Sequence, residues 1–140
     1  MNPTFSQSDR SRQTRWMVVD DNQELLLLMK MVLEQIHGNA VDCFASPEAA
    51  LKAFATAPDD YEVVITDFEM PGINGIELCR RLREMARSVK VFLATGSGFL
   101  SEAAAERAGF LGLLGKPFRL EKLQTMLADA GVKTALPMPA

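Results

Sequence analysis

The chain has 140 residues, of which 48% are apolar and 24% are charged, and its formal net charge is −3. This length predicts one domain, and the apolar content is high enough for a packed core, which excludes a disordered chain. The acidic balance argues against the basic surface that direct binding to nucleic acid requires.

Short apolar runs alternate with segments of helical period between a leader at residues 1–14 and a tail at residues 132–140. The leader is polar and has no periodicity, so we expect it to be flexible. The alternation over residues 15–131 predicts one domain of βα units around a parallel sheet. The predicted strands are 16–19, 41–44, 63–66, 89–94 and 110–114. The predicted helices are 23–37, 47–57, a third after the turn at 70–75 that ends near 85, 101–108 and 120–130.

The cysteines and the single histidine do not indicate a metal site or a disulfide. Cys43 and Cys79 are too far apart for a zinc-ligand spacing, and we expect two small buried side chains in a reducing cytoplasm. His37 is expected to be a polar group at a helix end, where the helix dipole favours it, and not a phosphorelay residue. The densest apolar stretch, residues 25–33, is far shorter than the roughly 20 residues that span a membrane. We therefore expect a cytoplasmic protein without membrane contact.

Polar side chains stand where four of the predicted strands end. Asp20 and Asp21 follow the first strand, Asp67 follows the third, Thr95 follows the fourth, and Lys116 follows the fifth. In an open parallel sheet, ligands bind outside the carboxyl ends of the strands. One aspartate after a strand is usually a turn residue, but four segments that converge on one edge indicate a site.

Three gathered carboxylates repel one another unless a cation lies among them. Hard oxygen ligands that leave room for water and phosphate suit Mg²⁺ better than Ca²⁺. A carboxylate beside a metal ion and a lysine can attack a phosphoryl group, because the cations disperse charge on the transferring oxygens. Asp67, which stands alone after a central strand, is the best candidate for this nucleophile.

Four motifs occur together in this order, and together they resemble the receiver domain of bacterial two-component response regulators. They are Val18-Val19-Asp20-Asp21, Asp67-Phe68-Glu69-Met70-Pro71-Gly72-Ile73-Asn74-Gly75, Leu93-Ala94-Thr95-Gly96 and Lys116-Pro117-Phe118. The resemblance covers about residues 15–131. It implies a doubly wound α/β fold with a five-stranded parallel sheet, flavodoxin-like, in the strand order 2-1-3-4-5.

The resemblance also implies a metal site and a phosphoacceptor. Asp67 would accept the phosphoryl group from a phosphohistidine on a sensor histidine kinase or a histidine phosphotransfer protein. Asp20, Asp21 and Asp67 would hold Mg²⁺ together with the backbone carbonyl of Glu69.

Two further residues are implied to bind the phosphoryl group once it is transferred. Thr95 would hydrogen-bond a phosphoryl oxygen, Lys116 would pair with it, and the Lys116–Pro117 peptide bond would be cis. Gly96 is expected to leave the site sterically open. Glu69 and Ser97 stand where they would tune hydrolysis.

The implied function is a phosphorylation-dependent switch that acts on a downstream protein effector, not an enzyme with an outside substrate. Three alternatives stay open: a receiver within a longer hybrid histidine kinase, a phosphatase with an aspartyl-phosphate intermediate, and a degenerate receiver that serves only in interactions. One departure concerns the switch itself. Leu113 stands where the family usually carries tyrosine or phenylalanine, so output would work through repacking of Leu113 or displacement of the helix at 101–108.

The first helix is predicted to present two different apolar surfaces. Its period places Leu25, Met29, Val32 and Ile36 on one face, which should pack on the sheet. Leu27 and Met31 point away from that face. Either they are isolated surface residues, or they bind the phosphodonor together with Phe118.

Overall fold

Five parallel strands form one sheet in the order β2-β1-β3-β4-β5, which confirms the predicted doubly wound architecture. The computed structural model describes residues 14–96, 98 and 100–136. The strands are β1 Arg15–Val19, β2 Val41–Phe44, β3 Tyr61–Thr66, β4 Lys90–Thr95 and β5 Gly112–Gly115. The chain runs from β1 outward to β2 and then returns across β1 to β3, so the strand order reverses between β1 and β3.

Five α-helices connect and follow the strands at the predicted places. They are α1 Gln23–His37, α2 Pro47–Thr56, α3 Gly75–Met85, α4 Glu102–Arg107 and α5 Leu120–Asp129. The fifth strand begins two residues later than predicted, because the N–H of Phe110 donates to the carbonyl of Ala105 and closes the end of α4. The third strand begins earlier, since Tyr61 is already paired with Arg15.

The three central strands β1, β3 and β4 are buried on both faces, so each reads as an almost continuous apolar run, whereas the edge strands β2 and β5 are mostly only partly buried. Val18 and Ile65 belong to one core, which α1 and α5 cover. Val19 and Val64 belong to the second core, which α2, α3 and α4 cover. Alternate residues of each strand thus serve two separate hydrophobic layers.

The buried face of α1 differs from the predicted one. Leu26, Met29, Leu33 and Ile36 are buried. Leu25 and Val32, predicted to face the sheet, are only partly buried at the margin of the core. The apolar run at 25–28 is compatible with more than one buried stripe. Contact with the sheet keeps Met29 and Ile36 and buries Leu26 and Leu33 in place of Leu25 and Val32.

Both ends of the described chain lie near the carboxyl end of α1. Val132 is buried, and the N–H of Ala135 donates to the carbonyl of Ile36 at 2.6 Å. The ring of His37 stacks on Trp16 with centroids 4.1 Å apart and is hydrogen-bonded to the carbonyl of Thr14. The predicted leader lies outside the described residues except for residue 14, and so do residues 137–140 of the predicted tail.

The expectations for cysteines and membrane contact can be compared with the described residues. Cys79 is buried and Cys43 is half-buried, and both are free thiols. Among the described residues, no helix combines the length and the apolar character that a membrane crossing needs.

Candidate functional site

The carboxyl ends of β1, β3, β4 and β5 meet at one open depression of about 530 Å³. Parallel pairing brings these ends together: the N–H of Asp67 donates to the carbonyl of Val19 at 2.9 Å, and the N–H of Lys116 donates to that of Thr95 at 2.9 Å. The residues that line the depression are Asp20, Asp21, Asn22, Leu25, Asp67, Glu69, Thr95, Gly96 and Lys116. The structure thus brings all six sequence-predicted site residues to one place.

Three carboxylates form the acidic part of the site. One oxygen from each of Asp20, Asp21 and Asp67 lies within 4.8 Å of the other two. Their exposure differs, because Asp20 is 1% exposed, Asp67 is half-buried and Asp21 is exposed. A site with one wall of carboxylates and one side open to solvent fits Mg²⁺, which binds through a few carboxylates and keeps several waters.

Lys116 is the cation within this cluster. Its Nζ donates to Oδ2 of Asp20 at 2.6 Å and lies 3.5 Å from Oδ1 of Asp67. The other oxygen of Asp20 accepts the N–H of Asn22 at 2.9 Å, so both of its oxygens are satisfied. The Lys116–Pro117 peptide bond is cis, as the resemblance implied.

Asp67 is held in an environment that opposes its ionisation. Burial raises the pKa of this carboxyl, and the negative charge of Asp20 acts in the same direction. Lys116 and the N–H of Phe68, which donates to Oδ1 at 2.8 Å, favour the ionised form and partly offset the rise in pKa. A bound cation would favour the ionised form further.

The turn after Asp67 is fixed by its backbone. The N–H of Gly75 donates to the carbonyl of Phe68 at 2.7 Å, and Asn74 caps α3 by accepting the N–H of Glu77. A Cβ atom at Gly75 would overlap the backbone carbonyl oxygen of Asp67. Glycine is therefore needed here for close approach of two backbone segments, and it determines where Asp67 lies.

The rim beside β4 is open. Thr95 is buried at the end of β4, whereas a Cβ atom at Gly96 would meet no atom of the other described residues within 4 Å. A small residue at Gly96 thus leaves room next to Thr95, as expected. Ser97 lies outside the described residues. Leu113 on β5 is half-buried against the second core.

Sequence reasoning missed Asn22 and Leu25 in this depression. Asn22 follows the acidic pair directly and caps α1 through its side chain, which accepts the N–H of Leu25. An asparagine at the start of a helical stretch is a recognisable N-cap signal. Its second role, the backbone contact with Asp20, has no signal in the sequence.

An apolar groove of about 210 Å³ lies between α1 and the start of α5, next to Lys116. Phe118 lines it, but Leu27 and Met31 do not. They are each 61% exposed on α1. Leu28, 55% exposed, lines the groove and lies one helical turn from Met31, so it joins the groove to the two predicted residues. Sequence reasoning missed Leu28.

Comparison with known proteins agrees with this geometry. Residues 16–128 match the family model of the response regulator receiver domain. The sensory/regulatory protein RpfC of Xanthomonas campestris is 34% identical over 95% of this chain, and the virulence sensor protein BvgS of Bordetella bronchiseptica is 37% identical over 89%. The chain spans only 19% and 10% of the lengths of those two relatives.

Solved structures show the same fold. A response regulator receiver domain from Clostridium thermocellum superimposes with a TM-score of 0.76 at 29% identity, covering 83% of this chain and 92% of its own. The response regulator TrrA of Thermotoga maritima, in complex with Mg²⁺ and BeF, gives 0.72 at 30% identity, covering 82% and 96%. From the family match and the converging strand ends together, the chain belongs to the response regulator receiver domains, which are phosphoryl-accepting signalling switches and not classical enzymes.

Proposed function

We propose that this domain accepts a phosphoryl group on Asp67 and switches state when it is phosphorylated. The observation that carries the proposal is the meeting of three carboxylates and Lys116 at one sheet edge, within 4.8 Å for the carboxylates and 2.6 Å for the closest lysine contact. A degenerate receiver would not need this set. Membership of the receiver family favours a switch over an aspartyl-phosphate phosphatase.

In the proposed transfer, a carboxylate oxygen of Asp67 attacks the phosphorus of a phosphohistidine on the partner. The new P–O bond forms as the P–N bond breaks, and the imidazole nitrogen leaves with the electron pair. Lys116 lies close enough to pair with the transferred phosphoryl oxygens, and the Thr95 hydroxyl would donate to one of them. Hydrolysis of the aspartyl phosphate by water would then reset the domain.

The acidic cluster is proposed to be a Mg²⁺ site made of Asp20, Asp21, Asp67 and the backbone carbonyl of Glu69. The donors are hard oxygens, few in number and partly open to solvent, which fits this ion. Bound Mg²⁺ would offset the carboxylate charges and the charge on the transferring oxygens. The complex of the Thermotoga maritima relative with Mg²⁺ and BeF supports the assignment.

Receiver domains interact with histidine kinases or phosphotransfer proteins. We propose that this domain is cytoplasmic and that such a phosphodonor binds it at α1. The exposed strip Leu27, Leu28 and Met31 continues into the apolar groove beside Lys116. A partner bound there would be close to Asp67. Output to a downstream protein would use Leu113 and α4, since they pack against the same core as the strand that leads to Asp67.

Incubation with acetyl phosphate and Mg²⁺, followed by intact-mass spectrometry, tests the assignment. We expect a covalent adduct of one phosphoryl group that is absent when Mg²⁺ is withheld and absent in Asp67→Asn. A matched control is Asp42→Asn, since Asp42 lies on β2 outside the site and should leave the adduct unchanged. An adduct that persists in Asp67→Asn would refute the proposal.

A further inference from the structure

A second charged depression lies at the opposite edge of the sheet from the carboxylate cluster. The helix of each βα unit runs back against its strand, so α3 and α4 end where β4 and β5 begin. Four arginines and one glutamate line a depression of about 440 Å³ between these helix ends, together with Ala108 and Gly109: Arg80, Arg83, Glu84, Arg87 and Arg107. Its lining carries a formal charge of +3 in a chain whose net charge is −3.

In the part of the chain that the structure describes, acids neutralise only one of these arginines. Arg80 donates to Glu84 at 2.6 Å and to Glu77 at 2.6 Å. Glu84 is the only acid that lines the depression, and it is therefore already paired. Within residues 14–96, 98 and 100–136, Arg87 and Arg107 form no ion pair, so two guanidinium groups remain available, one from the turn after α3 and one from the end of α4.

The third guanidinium is held in place by the protein. Arg83 is half-buried, and its Nη1 donates to the carbonyl of Gly109 at 3.3 Å. Gly109 has a φ of 107°, and a Cβ atom there would lie 3.4 Å from Cδ of Arg83. The positive φ favours glycine at this turn, and a Cβ atom there would only reach ordinary contact distance from the arginine stem. This contact orients one of the guanidinium groups before any ligand binds, which lowers the entropic cost of binding.

We infer that this arginine depression binds a small anion that carries at least two phosphate groups. Guanidinium groups present paired donors that match phosphate oxygens, and a cluster of like charges is stabilised when an anion enters it. The depression is open to solvent, so charge and not enclosure would hold the anion. Ala108 and Gly109 have almost no side chain, so the guanidinium groups around them stay accessible to an anion.

Titration with inorganic pyrophosphate in Mg²⁺-free buffer tests the inference, with binding heats measured by calorimetry and the site located by ¹⁵N NMR. We expect saturable binding that weakens with added salt, and shifts of the amide signals of Arg87, Arg107 and Gly109. The double variant Arg87→Gln/Arg107→Gln should bind at least about tenfold more weakly. Citrate should also bind more weakly than pyrophosphate.

Arg81→Gln is the matched control, because Arg81 lies on the same helix, pairs with Glu77 and does not line the depression. It should leave the pyrophosphate affinity within twofold, and circular dichroism should show every variant folded. Undiminished binding by the double variant, or shifts confined to other residues, would overturn the inference. So would equal affinity for citrate, or tighter binding of a single-stranded oligonucleotide. None of these outcomes depends on phosphorylation of Asp67.

Discussion

At the scale of single residues, the main unexpected feature is the division of Lys116 between its two acidic neighbours. The sequence places Lys116 at the same sheet edge as the aspartates, but it does not indicate that Asp20 receives the shorter contact, 2.6 Å against 3.5 Å to Asp67. Asp20 is 1% exposed, and a buried carboxylate is costly unless it is paired and hydrogen-bonded. Lys116 therefore stabilises the acidic cluster, and phosphorylation would require it to reorient towards the new phosphoryl oxygens.

Gly75 gives the residue-scale prediction. Gly75→Ala should lower the free energy of unfolding by about 2 kcal/mol, because the new Cβ atom would overlap the carbonyl oxygen of Asp67 and rigid backbone must shift. Urea unfolding measures this change. Gly96→Ala is the control and should stay within about 0.5 kcal/mol, since nothing lies within 4 Å of its Cβ position. Equal stability of the two variants would contradict the steric argument.

At the scale of elements, a side-chain cap and ion pairs in the first turns stabilise α3. Asn74 caps it, and Glu77 in its first turn accepts from Arg80 at 2.6 Å and from Arg81 at 2.8 Å. The hydrogen bonds from these two arginines lower the pKa of Glu77 from 4.5 to about 2. A carboxyl whose pKa is lower in the folded state binds fewer protons there than in the unfolded chain, so it stabilises the fold above its unfolded pKa.

The pH dependence of Glu77→Gln follows from that sign. The variant should be less stable than the parent at neutral pH, and the difference should shrink as the pH falls from about 4.5 to about 2, where the parent also loses the charge. Thermal unfolding of both proteins across this pH range measures it. Glu121→Gln is the matched control, because Glu121 also lies in the first turn of a helix but forms no ion pair among the described residues. A destabilisation of Glu77→Gln that does not change with pH would contradict the prediction.

The exposed strip on α1 is the second element-scale feature, and it predicts a defect confined to the protein phosphodonor. Leu27→Gln/Met31→Gln should slow phosphoryl transfer from the cognate kinase, because the apolar contact is lost, and should leave labelling by acetyl phosphate unchanged. Leu28→Gln should act in the same direction, since Leu28 lines the groove beside Lys116. Rates with both donors measure the effect.

Leu111→Gln is the control for these α1 variants, because Leu111 is 50% exposed beside β5, away from α1. It should change neither rate. If the α1 variants lost phosphoryl transfer from the kinase and from acetyl phosphate equally, that result would contradict the docking proposal.

At the scale of the whole molecule, the modest net charge of −3 conceals two opposite concentrations of charge. Three carboxylates meet at the carboxyl edge of the sheet, and the arginine depression lies where β4 and β5 begin. Both clusters arise from parallel topology, because it gathers all strand ends of one polarity on one edge. The carboxylates outnumber the cations in the first cluster, and the arginines outnumber the acids in the second. We therefore propose a cation, Mg²⁺, for the first and an anion for the second.

Mg²⁺ should therefore stabilise the entire fold. Binding to the native acidic cluster alone should raise the free energy of unfolding by about 2.7 kcal/mol when Mg²⁺ exceeds its Kd a hundredfold. Thermal unfolding with and without Mg²⁺ measures this. Asp21→Asn should lose most of the gain without losing the fold, since Asp21 is exposed. A thermal midpoint of the parent protein that does not respond to Mg²⁺ would count against the metal site.

The sequence by itself determined the βα alternation and the places of all five strands, and it predicted that Asp20, Asp21, Asp67, Thr95 and Lys116 lie together, as they do in one depression. It did so because apolar runs, helical period and strand-terminal polar residues are local features. The four motifs in their order also carried the family and, through it, the strand order that the structure confirms.

Only the tertiary structure decided which stripe of α1 is buried, which acid Lys116 contacts more closely, and that arginines from α3 and α4 share one depression. These features depend on contacts between residues far apart in the chain. The apolar run at 25–28 is compatible with several buried faces until the sheet packs against one of them. Arg83 and Gly109 likewise become partners only when the end of α4 is placed beside α3.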